Sequence, residues 1–268
     1  MPTRIVLGRD RVVREVRAAT PLMAALAAPV TGQAPWLTAV LNQQRPWPVG
    51  PRPAAVVVGD RQEPPAGAAF LVLRRRAPDT RVTMLGSRAA PVPGGRPTAR
   101  LLARDDEAAT RLAAGICELL DTLHGPWTLR LTGLPLGDPT ARTLSARLPT
   151  GLIGNSRSTG LVDGLDEVAG VARSRDPAVL ERWLPDLLAR EPDPRARRFL
   201  RAAARLHVAI GQVELAVVAE GEVLRAGLLT LVDGADRWPW WGVSDVGGLR
   251  TGAGAPLGTL TAPARRWP

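Results

Sequence analysis

The chain has 268 residues, 45% hydrophobic and 22% charged, a balance that excludes wholesale disorder and suits one large domain or two of about 100 to 150 residues each. Its 35 basic residues, every one an arginine, outnumber 25 acidic ones for a formal charge of +10. That charge suits phosphorylated ligands, but the arginines are scattered along the sequence with no aromatic residues interleaved as base-stacking platforms, which argues against nucleic acid.

A single cysteine, Cys117, excludes an intrachain disulfide, and His124 and His207 stand too far apart for metal-ligand spacing. No run approaches the roughly 20 apolar residues that span a bilayer. A cytoplasmic protein with no metal and no membrane span is expected. The stretch PLMAALAAPV, Pro21–Val30, reads as a short helix of the folded domain. Pro29 interrupts it, and Asp10 and Glu15 precede it, unlike the basic start of a signal peptide.

In chain order, PWLTAVLNQQ predicts a helix. AAVVVG, AAFLVLRRR and RVTMLG then predict three strands separated by turn residues, an antiparallel meander. After the Pro/Gly-rich loop RAAPVPGGRPTAR, the spacing of Leu112, Ile116, Leu119 or Leu120, and Leu123 predicts a helix that Asp105 or Asp106 can cap. WTLRLTGL predicts a further strand, and DPTARTLSARL a helix with Asp138 as N-cap and Pro139 at its first position.

The Gly-, Ser- and Asp-rich segment 151–170 reads as a linker between a first lobe, 1–150, and a second, 171–268. In the second lobe ERWLPDLLAR and PRARRFLRAAARLHVAI are helical, the latter with Phe199, Ala203, Leu206 and Ile210 on one face. VELAVVAEGEVLRAGLLTLVDGADRWPWWGV then predicts three strands with turns at EGE and DGAD. Both halves share a strand, a turn and a second strand led by small residues, the pattern of an internal duplication at an offset of about 160 residues.

A strand ending at Val243 and a helix beginning near Ala255 would set GGLRTGAGA at a helix N-terminus. There unpaired N–H groups and glycine's conformational freedom favour a phosphate, and Arg250 can add a charge-assisted contact. A Walker loop is excluded by the absence of lysine, and a Rossmann loop by the meander before it.

Helices, a three-stranded antiparallel meander and then a glycine loop that opens a helix resemble the GNAT N-acetyltransferase fold. That family's loop, Q/R-x-x-G-x-G/A, is similar to Leu249, Arg250, Thr251, Gly252, Ala253, Gly254, with leucine at the first position. The tandem arrangement resembles FemAB-like and CelD-type acyltransferases over about Pro35 to Arg265.

The resemblance implies an α/β protein of two GNAT-like lobes, each a mixed, mainly antiparallel sheet flanked by helices, the second lacking its final strand and helix. It also implies transfer from acetyl-CoA or another acyl-CoA to a small-molecule or peptidyl amine. The pyrophosphate would be held by Val243, Arg250, Thr251, Gly252, Ala253, Gly254 and Ala255. Asp245 and Glu214 are the candidate bases, though Asp245 reads more readily as a turn or cap aspartate and Glu214 as a solvated strand residue. The alternatives are a catalytically inactive GNAT-like binding module and, less favoured, an Arg-rich nucleic-acid-binding protein. Trp238, Trp240 and Trp241 alternate partly across a strand and read as core, or as a pocket wall.

Overall fold

The computed structural model describes residues 1–44, 50–76, 79–87, 89, 91–148 and 150–262. Residues 45–49, 77–78, 88, 90, 149 and 263–268 lie outside the description. The described chain is a mixed α/β protein with one large mixed sheet flanked by helices and a second, antiparallel sheet. It divides into two compact units: Met1–Ser87 with Pro97–Ser156 and Pro256–Pro268, and Arg88–Arg96 with Arg157–Ala255.

The first unit opens with β1 (Thr3–Leu7), α1 (Arg9–Ala18), α2 (Thr20–Ala25) and α3 (Ala34–Gln43). α2 is the helix expected within Pro21–Val30, and it buries Leu22 and Met23. β2 (Arg52–Val58), β3 (Gly67–Arg76) and β4 (Asp79–Met84) form the expected antiparallel meander. A two-residue strand, β5 (Leu102–Ala103), pairs with β3, and α4 (Asp106–Asp121) follows. Asp105 caps α4 by accepting from Ala108 N at 2.8 Å, leaving Asp106 and Glu107 in the first turn.

β6 (Trp127–Leu134) lies parallel to β4, from Thr80 opposite Trp127 to Thr83 opposite Arg130. α5 (Pro139–Arg147) has Asp138 as its cap, accepting from Ala141 N at 2.9 Å. The helical spacing read from α4 puts Leu112, Ile116 and Leu119 into one cluster with Leu71, Val82, Leu129 and Leu131. Each such side chain contributes about 1.5 to 3 kcal/mol by leaving water.

The expected linker is instead a strand, β7 (Leu152–Asp163). Its glycines, serines and threonines carry no strong signal of their own, and pairing with the strand that ends the described chain, β12 (Leu249–Ala262), decides the conformation. β12 also pairs antiparallel with β6, giving the order β1-β2-β3-β4-β6-β12-β7.

In the second unit β8 (Ala172–Ser174), α6 (Pro177–Ala189) and α7 (Pro194–Val208) precede β9 (Val213–Glu220), β10 (Val223–Asp233) and β11 (Asp236–Ser244). These four strands form an antiparallel sheet in the order β11-β10-β9-β8. Gly221 and Gly234, both at positive φ, make the turns expected at EGE and DGAD. α6 packs on β10 and α7 on β9. Gly164 N donates to Gly248 O at 2.7 Å where β7 and β12 end.

Two expectations fail in this unit. α7 stops at Val208, so Ile210 is 50% exposed, and the buried stripe runs instead through Phe199, Leu200, Ala203, Ala204 and His207. No helix opens at Ala255: β11 is followed by a short turn and then by β12, so Leu249 to Ala255 are strand residues.

Candidate functional site

The glycine-rich stretch therefore lacks the helix N-terminus that would have made it an anion cradle. Its N–H groups lie along a strand rather than converging. Ala255 N donates to Gly95 O at 2.8 Å, and Ser158 Oγ donates to Ala255 O at 2.7 Å. A Cβ on Gly254 would lie 2.5 Å from both Gly95 O and Ser158 Oγ, and one on Gly252 would lie 2.6 Å from a methyl of Val162.

Gly94 and Gly160 meet each other's backbone in the same way, and Gly95 N donates to Thr159 O at 3.0 Å. These glycines serve backbone-to-backbone packing. The doublet in PVPGGRP was the sequence signal for it.

The two candidate bases are also engaged. Asp245 forms a two-pronged pair with Arg190, at 2.9 and 2.8 Å, and this contact holds its carboxyl below the usual range. Glu214 is buried on β9, with 7% of its surface exposed. It accepts from Arg237 at 2.5 and 2.9 Å and from Arg173 Nη1 at 3.4 Å. Arg173 reaches Asp163 and Asp166 as well, at 2.9 and 2.8 Å. Both carboxylates thus have their oxygens turned to guanidiniums, which leaves them poorly placed to reach a substrate amine.

The helix that follows a meander is α4, in the first unit, and its approach is closed. Thr98 N and Ala99 N both donate to Gly133 O at 3.0 Å, beyond the last paired residues of β4 and β6. Thr98 O accepts from Thr31 Oγ1 at 2.7 Å, and Arg100 Nη1 donates to Leu26 O. Arg104 N donates to Ala66 O at 2.8 Å. Thr98, Ala99 and Arg104 thus give their backbone donors to the protein itself. Asp105, Asp106 and Glu107 then set negative charge at the α4 N-terminus, where a phosphate would have to bind.

The tryptophans are structural. Trp238 and Trp240, two residues apart on β11, are both buried, and a register shift between Leu229 and Thr230 puts Trp241 opposite Leu229 and Pro239 opposite Thr230. Trp240 stands edge-on to Phe199 with centroids 6.4 Å apart and donates to Pro91 O at 2.8 Å. Arg96 lies over Trp238 at 5.4 Å, and Trp241 Nε1 donates to Glu191 at 3.1 Å. Cys117 packs against the first unit's core, and burial pushes its thiol up. Among the described residues no cluster could hold a metal ion, and no helix is long and apolar enough to cross a membrane.

His207 is fully buried, with Nδ1 3.1 Å from Gln212 Oε1, and burial pushes the imidazole down to about 4. Between pH 4 and 6.5 the unfolded chain binds a proton that the native state refuses. This contribution to stability is therefore complete above about pH 6.5 and is lost as pH falls toward 4. Denaturation titrations at pH 7 and pH 4.5 are expected to differ by about 2 to 3 kcal/mol more in the wild type than in His207→Gln. Equal pH dependence in both proteins would exclude this role.

No protein-family model matches the chain, and no curated protein matches it. Among solved structures it is similar to a conserved protein of unknown function from Enterococcus faecalis V583, described as a probable N-acyltransferase. That likeness has 8% identity and a TM-score of 0.32, over 97% of this chain and 72% of that one. It is also similar to a GCN5-related N-acetyltransferase from Sphaerobacter thermophilus, with 11% identity and a TM-score of 0.31, over 98% of this chain and 96% of that one.

Proposed function

We propose that the chain is a GNAT-type fold serving as a binding module and that it does not transfer an acyl group. The observation that carries this reading is the connection into α4. The order of elements in the first unit, helices, meander, then helix and parallel strand, is the one the GNAT resemblance implies. Yet Thr98 N, Ala99 N and Arg104 N are bonded within the protein, and three carboxylates begin the helix.

A pyrophosphate placed there would meet acidic groups and few free N–H donors, against the usual preference of helix N-termini for anions. The pairing of Asp245 with Arg190 and of Glu214 with Arg237 supports the same reading, since it engages both candidate bases.

The element order itself favours a second reading, acyl transfer from an acyl-CoA to a small-molecule or peptidyl amine. In that reading Arg250 to Ala255 contact the donor, and Asp245 or Glu214 accepts the proton. Calorimetric titration with acetyl-CoA and with CoA separates the two. No saturable heat is expected up to millimolar ligand, and saturable binding in that range would establish the transferase reading instead.

A further inference from the structure

Arginines scattered in the sequence are gathered by strand register in the first unit. β3 ends in Arg74, Arg75 and Arg76, β4 carries Arg81, and β6 carries Arg130. Arg74 stands directly opposite Arg81, and Arg130 opposite Thr83. Leu71, Leu73, Val82, Leu129 and Leu131 point into the core, so strand alternation sends Arg74, Arg76, Arg81 and Arg130 to the other face.

Neighbouring strands lie about 4.8 Å apart, and alternate residues about 7 Å along a strand, so the four guanidiniums share one small area. Arg75, Arg76 and Arg130 are exposed, and Arg74 and Arg81 are half-buried. Among the described residues none of these five forms an ion pair. Asp79, opposite Arg76, is the only acidic residue on the three strands.

Like charges directly opposite one another on a sheet destabilise it. A face that keeps them without internal partners is arranged for an external anion. We infer that the basic end of the β3–β4 hairpin, with Arg130 beside it, binds the phosphate backbone of duplex nucleic acid without reading its sequence. β4 is paired with β6 from Thr80 to Thr83, so the arginines present a sheet face that can lie across successive phosphates, and arginine pairs well with phosphate.

Phe70, which alternation puts on this face of β3, is buried and so cannot stack the bases of a single strand. None of the exposed large hydrophobic residues, such as Leu152, Ile153 and Ile210, belongs to these strands, so nothing there would insert into a lipid surface. The inference goes beyond the binding-module reading and holds whichever way the CoA titration falls.

Fluorescence anisotropy with a random-sequence DNA duplex, over a salt series, tests it. The wild type is expected to bind at low salt with a steep inverse salt dependence. Arg76→Ala with Arg81→Ala is expected to weaken binding about tenfold and to lower the salt slope by roughly 2. Arg198→Ala with Arg201→Ala, two exposed arginines of α7, is expected to leave affinity within about twofold.

The Arg76/Arg81 variant should keep the wild-type thermal midpoint or exceed it, because it relieves the opposed pair. An equal loss in the α7 variant would reduce the effect to net charge and overturn the assignment. So would absence of duplex binding at low salt, or binding to phosphatidylserine vesicles or inorganic triphosphate in preference to the duplex.

Discussion

Gly254→Ala is expected to destabilise the second unit by about 3 kcal/mol, at the upper end of the overpacking range. A single added methyl would press on the Cα and carbonyl oxygen of Gly95 and on Ser158 Oγ, the last two at 2.5 Å. Two of these three atoms are backbone and cannot swing aside as a side-chain tip can. The strand would have to move, breaking the bond from Ala255 N to Gly95 O.

Gly154→Ala, on β7, is the matched control, since its added methyl meets nothing within 4 Å. It should change stability by no more than about 0.5 kcal/mol. Urea denaturation followed by tryptophan fluorescence checks both, and equal midpoints for the two variants would show that the contact is readily relieved. For the same reason, a joint replacement of Gly252 and Gly254 by bulkier residues is expected to report on folding before it reports on any ligand.

Glu214→Ala should have a comparable effect by a different route. The carboxylate has 9% of its side chain exposed and is shared by Arg237, 41% exposed, and Arg173, 19% exposed. Arg173 keeps Asp163 and Asp166, so the loss is placed at about 3 kcal/mol, the low end for breaking a buried pair.

The companion Arg237→Ala, and the double variant, complete a cycle. The double variant is expected to be less unstable than the sum of the two single ones, by about 1 kcal/mol or more. Strict additivity would mean that the pair is not coupled. A general base at this position predicts the opposite pattern, with Glu214→Ala folding normally and losing only activity.

Local chemistry was legible in the sequence where the signal sits within a few residues. The capping aspartates Asp105 and Asp138, the leucine spacing of α4 and both meanders are of that kind. β7 and β12 were not legible, because the partners that make them strands are distant in the chain.

Gly252 and Gly254 show the same limit in the candidate site. Glycine is favoured equally where a phosphate approaches the backbone and where another backbone does, and only the neighbour tells them apart. Glu214 reads from the sequence as a candidate base or a solvated strand residue, because its arginine partners come from β8 and β11 and are invisible from β9 alone. Arg74, Arg81 and Arg130 looked scattered because register, rather than sequence distance, brings them together.

The bond from Gly164 N to Gly248 O, 2.7 Å long, also bears on the modularity of the chain. The intervening residues leave and return through a single doorway, so their excision would leave two ends close enough for a short turn to join, with little loop-closure entropy to overcome. The ribbon of β7 and β12 thus holds both ends of the intervening segment together, while Leu161 and Leu249 pack against its core.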